Sequence, residues 1–160
     1  MANYYPPVSF AYQVRISGDR SNLDTGFQEV SGLDVERTIT EIKEGGENRF
    51  SHQVPGALKY QSLKLKRGLV VANSPVYAWY KESLESDLQA RVTTKDLTVS
   101  LLDEKAMPLM SWSIIRAWPL KWSISDFRAQ ENEVAIETLE LSFQRMERKI
   151  IRSLSVAGLV

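Results

Sequence analysis

The chain has no cysteine. Disulfides and thiolate metal sites are excluded, and passage through an oxidising compartment gains no support. It has one histidine, His52, so HxH and HxxxH spacings are missing and a metal site would depend on carboxylates. It has no excess of either charge: 20 basic residues balance 20 acidic ones. That balance argues against sequence-specific nucleic-acid binding and against an acidic membrane as partner, and it permits association. No apolar run approaches the roughly 20 residues of a membrane helix. The basic-then-apolar pattern of a signal peptide is also missing, so the expected place of folding is the cytoplasm. GxSxG, GxGxxG and GxxxxGK[ST] do not occur, which removes the usual nucleophile elbow and phosphate cradles. Gly45 and Gly46 lie beside Glu44 and Glu47, which would repel phosphate, and read as a turn. The expectation is a protein that is not an enzyme, with no catalytic, metal or cofactor-binding residues.

What the chain does have is alternation. In residues 110–124 the even positions hold Met110, Trp112, Ile114, Trp118, Leu120, Trp122 and Ile124, with Ser111, Ser113, Lys121 and Ser123 between them. A period of two predicts a long, half-buried antiparallel strand with its even face dry. Pro119 cannot donate to a ladder and requires a bulge, an edge or a bend. Val8, Phe10, Tyr12, Val14 and Ile16 predict a first strand. Residues 27–43 read as extended, broken at Ser31-Gly32, where a glycine signals a bulge or a close backbone approach. Leu63 and Leu65 alternate with Lys64 and Lys66, the wet face of another strand. Residues 96–103 form a further strand. In the last, residues 133–148, Val134 and Ile136 are even while Leu139, Leu141 and Phe143 are odd. A bulge near Glu137-Thr138, or a strand shared between two sheets, would reconcile the phases.

One helix is expected over residues 75–89, capped by Ser74 and opened by Pro75. Its stripe is Val76, Tyr80, Leu84 and Leu88 with Tyr77; Trp79 lies beside it, partly exposed. Residues 43–57 lack a sustained period and read as a long loop, a length that calls for a function. Residues 1–148 are expected to form one domain and 149–160 a tail. That tail is either frayed or, through Ile150, Ile151 and Leu154, a short amphipathic helix. The predicted fold is mainly β: an antiparallel β-sandwich or barrel with one packed α-helix. A monomeric sandwich that displays Trp79 or Trp118 to a carbohydrate or small ligand is the rival reading.

In chain order the segments are YYPPVSFAYQV, FQEVSGLDVE, EIKEGGENRFSHQVPG, LKLKRGL, DLTVSLLDE, WSIIRAWPLKWSISDF and EVAIETLELSFQRM. Over about residues 5–146 this series resembles the tail-tube family of contractile phage tails and extracellular contractile injection systems. The resemblance implies a tail-tube-like fold, similar to that of the type VI secretion tube protein. It implies homo-hexameric rings that stack on themselves into a hollow tube, with strands of neighbouring subunits joined around the lumen. Sheath and baseplate proteins are the implied partners, with cargo in the lumen. The implied role is body tube or baseplate-proximal tube initiator, assembled in the cytoplasm and then part of a virion or released injection particle. On this resemblance Trp112, Ile114, Trp118, Trp122, Leu139, Leu141 and Phe143 are assigned to the sheet and subunit interface. Glu44, Gly45, Gly46, Glu47, Asn48, Arg49, Phe50, Pro55 and Gly56 are assigned to an inter-ring loop.

Overall fold

The computed structural model describes residues 11–19, 26–46, 49–69, 74–87, 91–125 and 135–151, and alternating apolar side chains make most of these strand. The strands in order are β1 (Ala11–Ile16), β2 (Gly26–Phe27), β3 (Glu29–Ser31), β4 (Val35–Ile42), β5 (His52–Tyr60) and β6 (Leu63–Gly68). Helix α1 (Pro75–Glu85) follows, then β7 (Lys95–Leu102), β8 (Pro108–Ile124), β9 (Ile136–Ser142) and β10 (Arg145–Ile150). Val8, Phe10, Leu88 and Val134 lie outside the described residues.

Every strand pairing is antiparallel. One hydrogen-bonded path runs β2-β1-β7-β8-β9-β6-β3, and β10 also pairs with β8. Its two ends, β2 and β3, are separated only by Gln28, whose N–H donates to the Lys66 carbonyl at 2.9 Å. The path therefore folds back on itself. One layer holds β2, β1, β7, the first half of β8 and β10; the other holds the second half of β8 with β9, β6 and β3. A single core joins them: Val14, Leu97, Val99 and Ile114 from one layer meet Leu63, Leu65, Leu139 and Leu141 from the other. Burying each such side chain contributes about 1.5–3 kcal/mol.

The 17-residue strand β8 crosses from one layer to the other. Of its even side chains, Trp112, Ile114 and Trp122 face the core, while near its start the odd Leu109 and Ser111 are also buried. The middle departs from the expected phase. The register shifts opposite Lys95–Leu97, where Arg116 adopts φ 51°, and Ala117 turns inward instead. It shifts again between Pro119 and Lys121, which restores the even phase. Trp118, Leu120 and, at the strand's end, Ile124, all expected on the dry face, are exposed. Two bulges carry the strand round the corner.

The last strand is also corrected. Pairing runs unbroken through Glu137 and Thr138 on both sides, so no bulge lies there. Glu137 points inward and Ile136 is 38% exposed. The shared-strand alternative is what occurs: β9 and β10 succeed each other along one edge of β8, with the break at Phe143-Gln144. Lys149 and Ile150, assigned from sequence to the tail, are strand residues of β10, and Leu154 lies outside the described residues.

Ser74 caps α1 by accepting from the Tyr77 N–H at 3.1 Å, and Pro75 occupies the first turn. The helix stops at Glu85, short of the expected residue 89, because Ser86 is extended. Its buried face is Val76, Trp79 and Tyr80, whereas Leu84 and Tyr77 are exposed. Trp79 is only 2% exposed, against expectation. Its indole N–H donates to the Thr93 carbonyl at 2.9 Å, and Lys95 Nζ lies 5.5 Å from the ring centre.

Candidate assembly surfaces

The polar interior sets the position of the outward surfaces. Arg67 and Glu137 are cross-strand neighbours on β6 and β9, both buried, and Arg67 Nε donates to Glu137 Oε1. Arg67 Nη2 donates to the capping Ser74 hydroxyl at 3.1 Å, and its guanidinium lies over the Phe27 ring at 5.1 Å. Trp122 Nε1 donates to Glu137 Oε2 at 3.2 Å. Four elements thus converge on one ion pair: β6, β8, β9 and the start of α1. A buried pair with its remaining donors satisfied is tolerated; one stripped of a partner is not. Tyr80 adds a second tie from the helix, its hydroxyl donating to the Glu140 carbonyl at 3.0 Å. Burial pushes that phenol far above its ordinary range, and the nearby Glu140 and Glu137 charges add to it.

With Leu63, Leu65, Leu139 and Leu141 turned inward, the opposite face of the β3-β6-β9-β8 layer is polar. Cross-strand register groups it into rows. One row reads Ser31, Lys64, Glu140, Lys121. The next reads Glu29, Lys66, Thr138, Ser123. Lys66 is bridged to both Glu29 oxygens, at 3.0 and 3.1 Å. Ser62 Oγ donates to Glu140 Oε1 at 2.6 Å. Trp118 stands opposite Ser142 at the end of this face, 36% exposed.

Both lateral edges of this layer are open among the described residues. On β8, pairing with β7 ends at Ala117, so residues 118–124 have β9 on one side only. On β3, residues 29–31 have β6 on one side only. Unpaired ladder groups at a sheet edge template further strand pairing.

Residues 43–57 are not one long loop. β4 and β5 pair over Val35–Tyr60 to Ile42–His52 and form a hairpin that prolongs the β3/β6 ladder beyond the body. Pro55 and Gly56 are strand residues inside β5, which begins at His52, and β4 ends at Ile42. The hairpin leaves the body at Gly32, whose φ is +87°; a Cβ there would sit 2.1 Å from the Ser62 carbonyl oxygen. The expected close backbone approach is real at this point. Gly56 meets the same demand where the register slips between Arg37 and Ile39, since a Cβ would lie 2.5 Å from Thr38 Oγ1.

No residue of β4 is buried, and β5 has only two half-buried positions, Gly56 and Tyr60. Yet the hairpin carries Val35, Ile39 (63% exposed), Ile42, Val54 and Leu58. Phe50 near its tip is 60% exposed and packs edge-on against His52, with ring centres 5.4 Å apart. His52 Nε2 lies 3.6 Å from Glu44 Oε1, both well exposed.

The residues assigned from sequence fall into three places. Ile114, Leu139 and Leu141 lie in the subunit's own core, with Trp112, Trp122 and Phe143 partly buried against it. Trp118 sits at the open edge. Glu44, Gly45, Gly46, Arg49, Phe50, Pro55 and Gly56 lie on the hairpin, whereas Glu47 and Asn48 lie outside the described residues. The sequence reading missed β4 as part of the arm, and it missed the Arg67–Glu137 pair. Lone charges at inward strand positions were the available signal.

Comparison with known proteins adds the following. The family model of the T4-like virus tail tube protein gp19 matches residues 8–147. A chain in the cryo-EM structure of the anti-feeding prophage baseplate, 6-fold symmetrised, is 29% identical with a TM-score of 0.74, covering 93% of this chain and 99% of that one. A chain in the PVC sheath-tube complex of an extracellular contractile injection system, in its extended state, is 24% identical with a TM-score of 0.74, covering 94% and 95%. Hcp1 from Salmonella typhimurium shares the fold at 12% identity and a TM-score of 0.55, covering 89% and 87%. The comparison with curated proteins found no match.

Proposed function

We propose, from the premise that this chain belongs to the T4-like virus tail tube protein gp19 family, that it works as homo-hexameric rings stacked into the inner tube of a contractile injection system. The observation that carries this reading is the pair of open edges on one layer, β3 and residues 118–124 of β8. They lie on opposite sides of the same sheet. Joining the β3 edge of one subunit to the β8 edge of the next is a head-to-tail contact, and such contacts close into rings. The inner side of that ring has the least room. α1 and the second layer cover the sheet's dry face, so the polar face must turn to the axis and line the lumen. A closed barrel leaves no edge exposed.

The hairpin supports stacking. A lone two-stranded ribbon is marginal in water, and this one displays its apolar side chains to solvent. A subunit of the adjacent ring provides the cover it lacks. Sheath and baseplate proteins are the further partners, in line with the assemblies in which the two similar chains occur. The protein assembles in the cytoplasm and ends in a phage tail or extracellular particle. Its role is structural and involves no catalysis.

Negative-stain microscopy of the purified chain over a range of concentrations tests this. Six-fold rings and hollow tubes are expected. A particle that stays monomeric at high concentration overturns the reading.

A further inference from the structure

We propose that the lumen wall of this tube is cationic and retains acidic polypeptide cargo; the inference rests on the tube reading above. The row across β6, β9 and β8 sets Lys64 and Lys121 on either side of the single carboxylate of Glu140. That carboxylate already accepts from Ser62. Among the described residues neither lysine has an ion-pair or hydrogen-bond partner. The neighbouring row is neutral, because Glu29 holds Lys66. Among the described residues the two rows of each subunit therefore carry one net positive charge at the same height, and every ring repeats it.

A closed ring concentrates that field inside the channel, since low-dielectric walls focus potential along a cleft. The lysine heads are flexible point charges on an otherwise hydroxyl-rich wall, which suits a carboxylate that must enter and later leave. The wall fits an acidic polypeptide better than a nucleic acid. Phosphates crowd along a nucleic acid far more densely than one net cation per subunit can neutralise, and Glu29 and Glu140 would face them. Retention should weaken with salt, because screening acts within about 8 Å at physiological ionic strength.

The test assembles tubes in the presence of fluorescent peptides and measures the label that sediments with them. A Glu/Ser peptide is expected to be retained and a Lys/Ser peptide excluded. The Lys64→Glu/Lys121→Glu double variant should retain the Glu/Ser peptide roughly tenfold less, the equivalent of about 1.4 kcal/mol. The neutral pair Lys64→Gln/Lys121→Gln should fall between, and it serves if charge reversal impairs assembly. Lys81→Glu, on the exposed side of α1, should change nothing. Equal retention of both peptides, tighter retention of a single-stranded DNA oligonucleotide, or the same loss in Lys81→Glu overturns the proposal while leaving the tube reading intact. Absence of tubes by microscopy in the same samples overturns both.

Discussion

Glu137 shows how one side chain decides the phase of a strand. It occupies an inward position between Ile136 and Leu139, where an apolar residue is the ordinary choice. Arg67 makes that position tenable, and Ser74 and Trp122 occupy most of the remaining polar valences. Glu137→Ala would remove the carboxylate that Arg67 donates to inside the core. We expect a loss of about 3–5 kcal/mol in urea unfolding of the dispersed subunit. Arg67→Met with Glu137→Leu should cost less than half as much, since the double change removes both members of the buried pair together. A double variant as unstable as Glu137→Ala would contradict this account. Tyr80 carries a pH signature. Its folded-state value is raised, so the unfolded phenol ionises first, near pH 10, while the folded one keeps its proton. The unfolded state then binds fewer protons, and stability falls as pH rises above about 10. Tyr80→Phe should cost about 1 kcal/mol at neutral pH through the lost hydrogen bond and should flatten that alkaline decline. An unchanged alkaline profile would rule out Tyr80 as its source.

The hairpin and β8 show what alternation can and cannot reveal about an element. Strands, the helix start at Ser74-Pro75 and the close approach at Gly32 were legible, because each has a local cause. The arm was not. Both its faces are exposed, its register slips between Arg37 and Ile39, and Pro55-Gly56 imitates a turn. In β8 the outward turn of Trp118 and Leu120 was illegible for a related reason. Large apolar residues read as core whether or not the subunit itself covers them. Ile39→Asp with Leu58→Asp tests the arm directly. Neither side chain is buried within the subunit, so the circular-dichroism spectrum should be unchanged and single rings should persist, while long tubes fail to form. Tubes of normal length from this variant would remove the hairpin from ring stacking. Loss of the folded signal would show that the arm serves the subunit's own stability.

At the scale of the whole molecule, the edges of the sheet carry the account. The β3-β6-β9-β8 layer has its dry face covered by the helix and the second layer, yet among the described residues it ends on open ladders at β3 and β8. Zero formal charge leaves no net repulsion to oppose the self-association proposed above. The proposed assembly gives the polar face, the projecting ribbon and the open edges one common use. The most direct measurement is a cryo-EM map of the assembled ring in which strands can be traced. Our account predicts backbone hydrogen bonds between β3 of each subunit and residues 118–124 of β8 in the next, with Lys64 and Lys121 facing the axis. A ring whose subunits meet through other surfaces, leaving those two edges unpaired or the lysines on the outside, would contradict it.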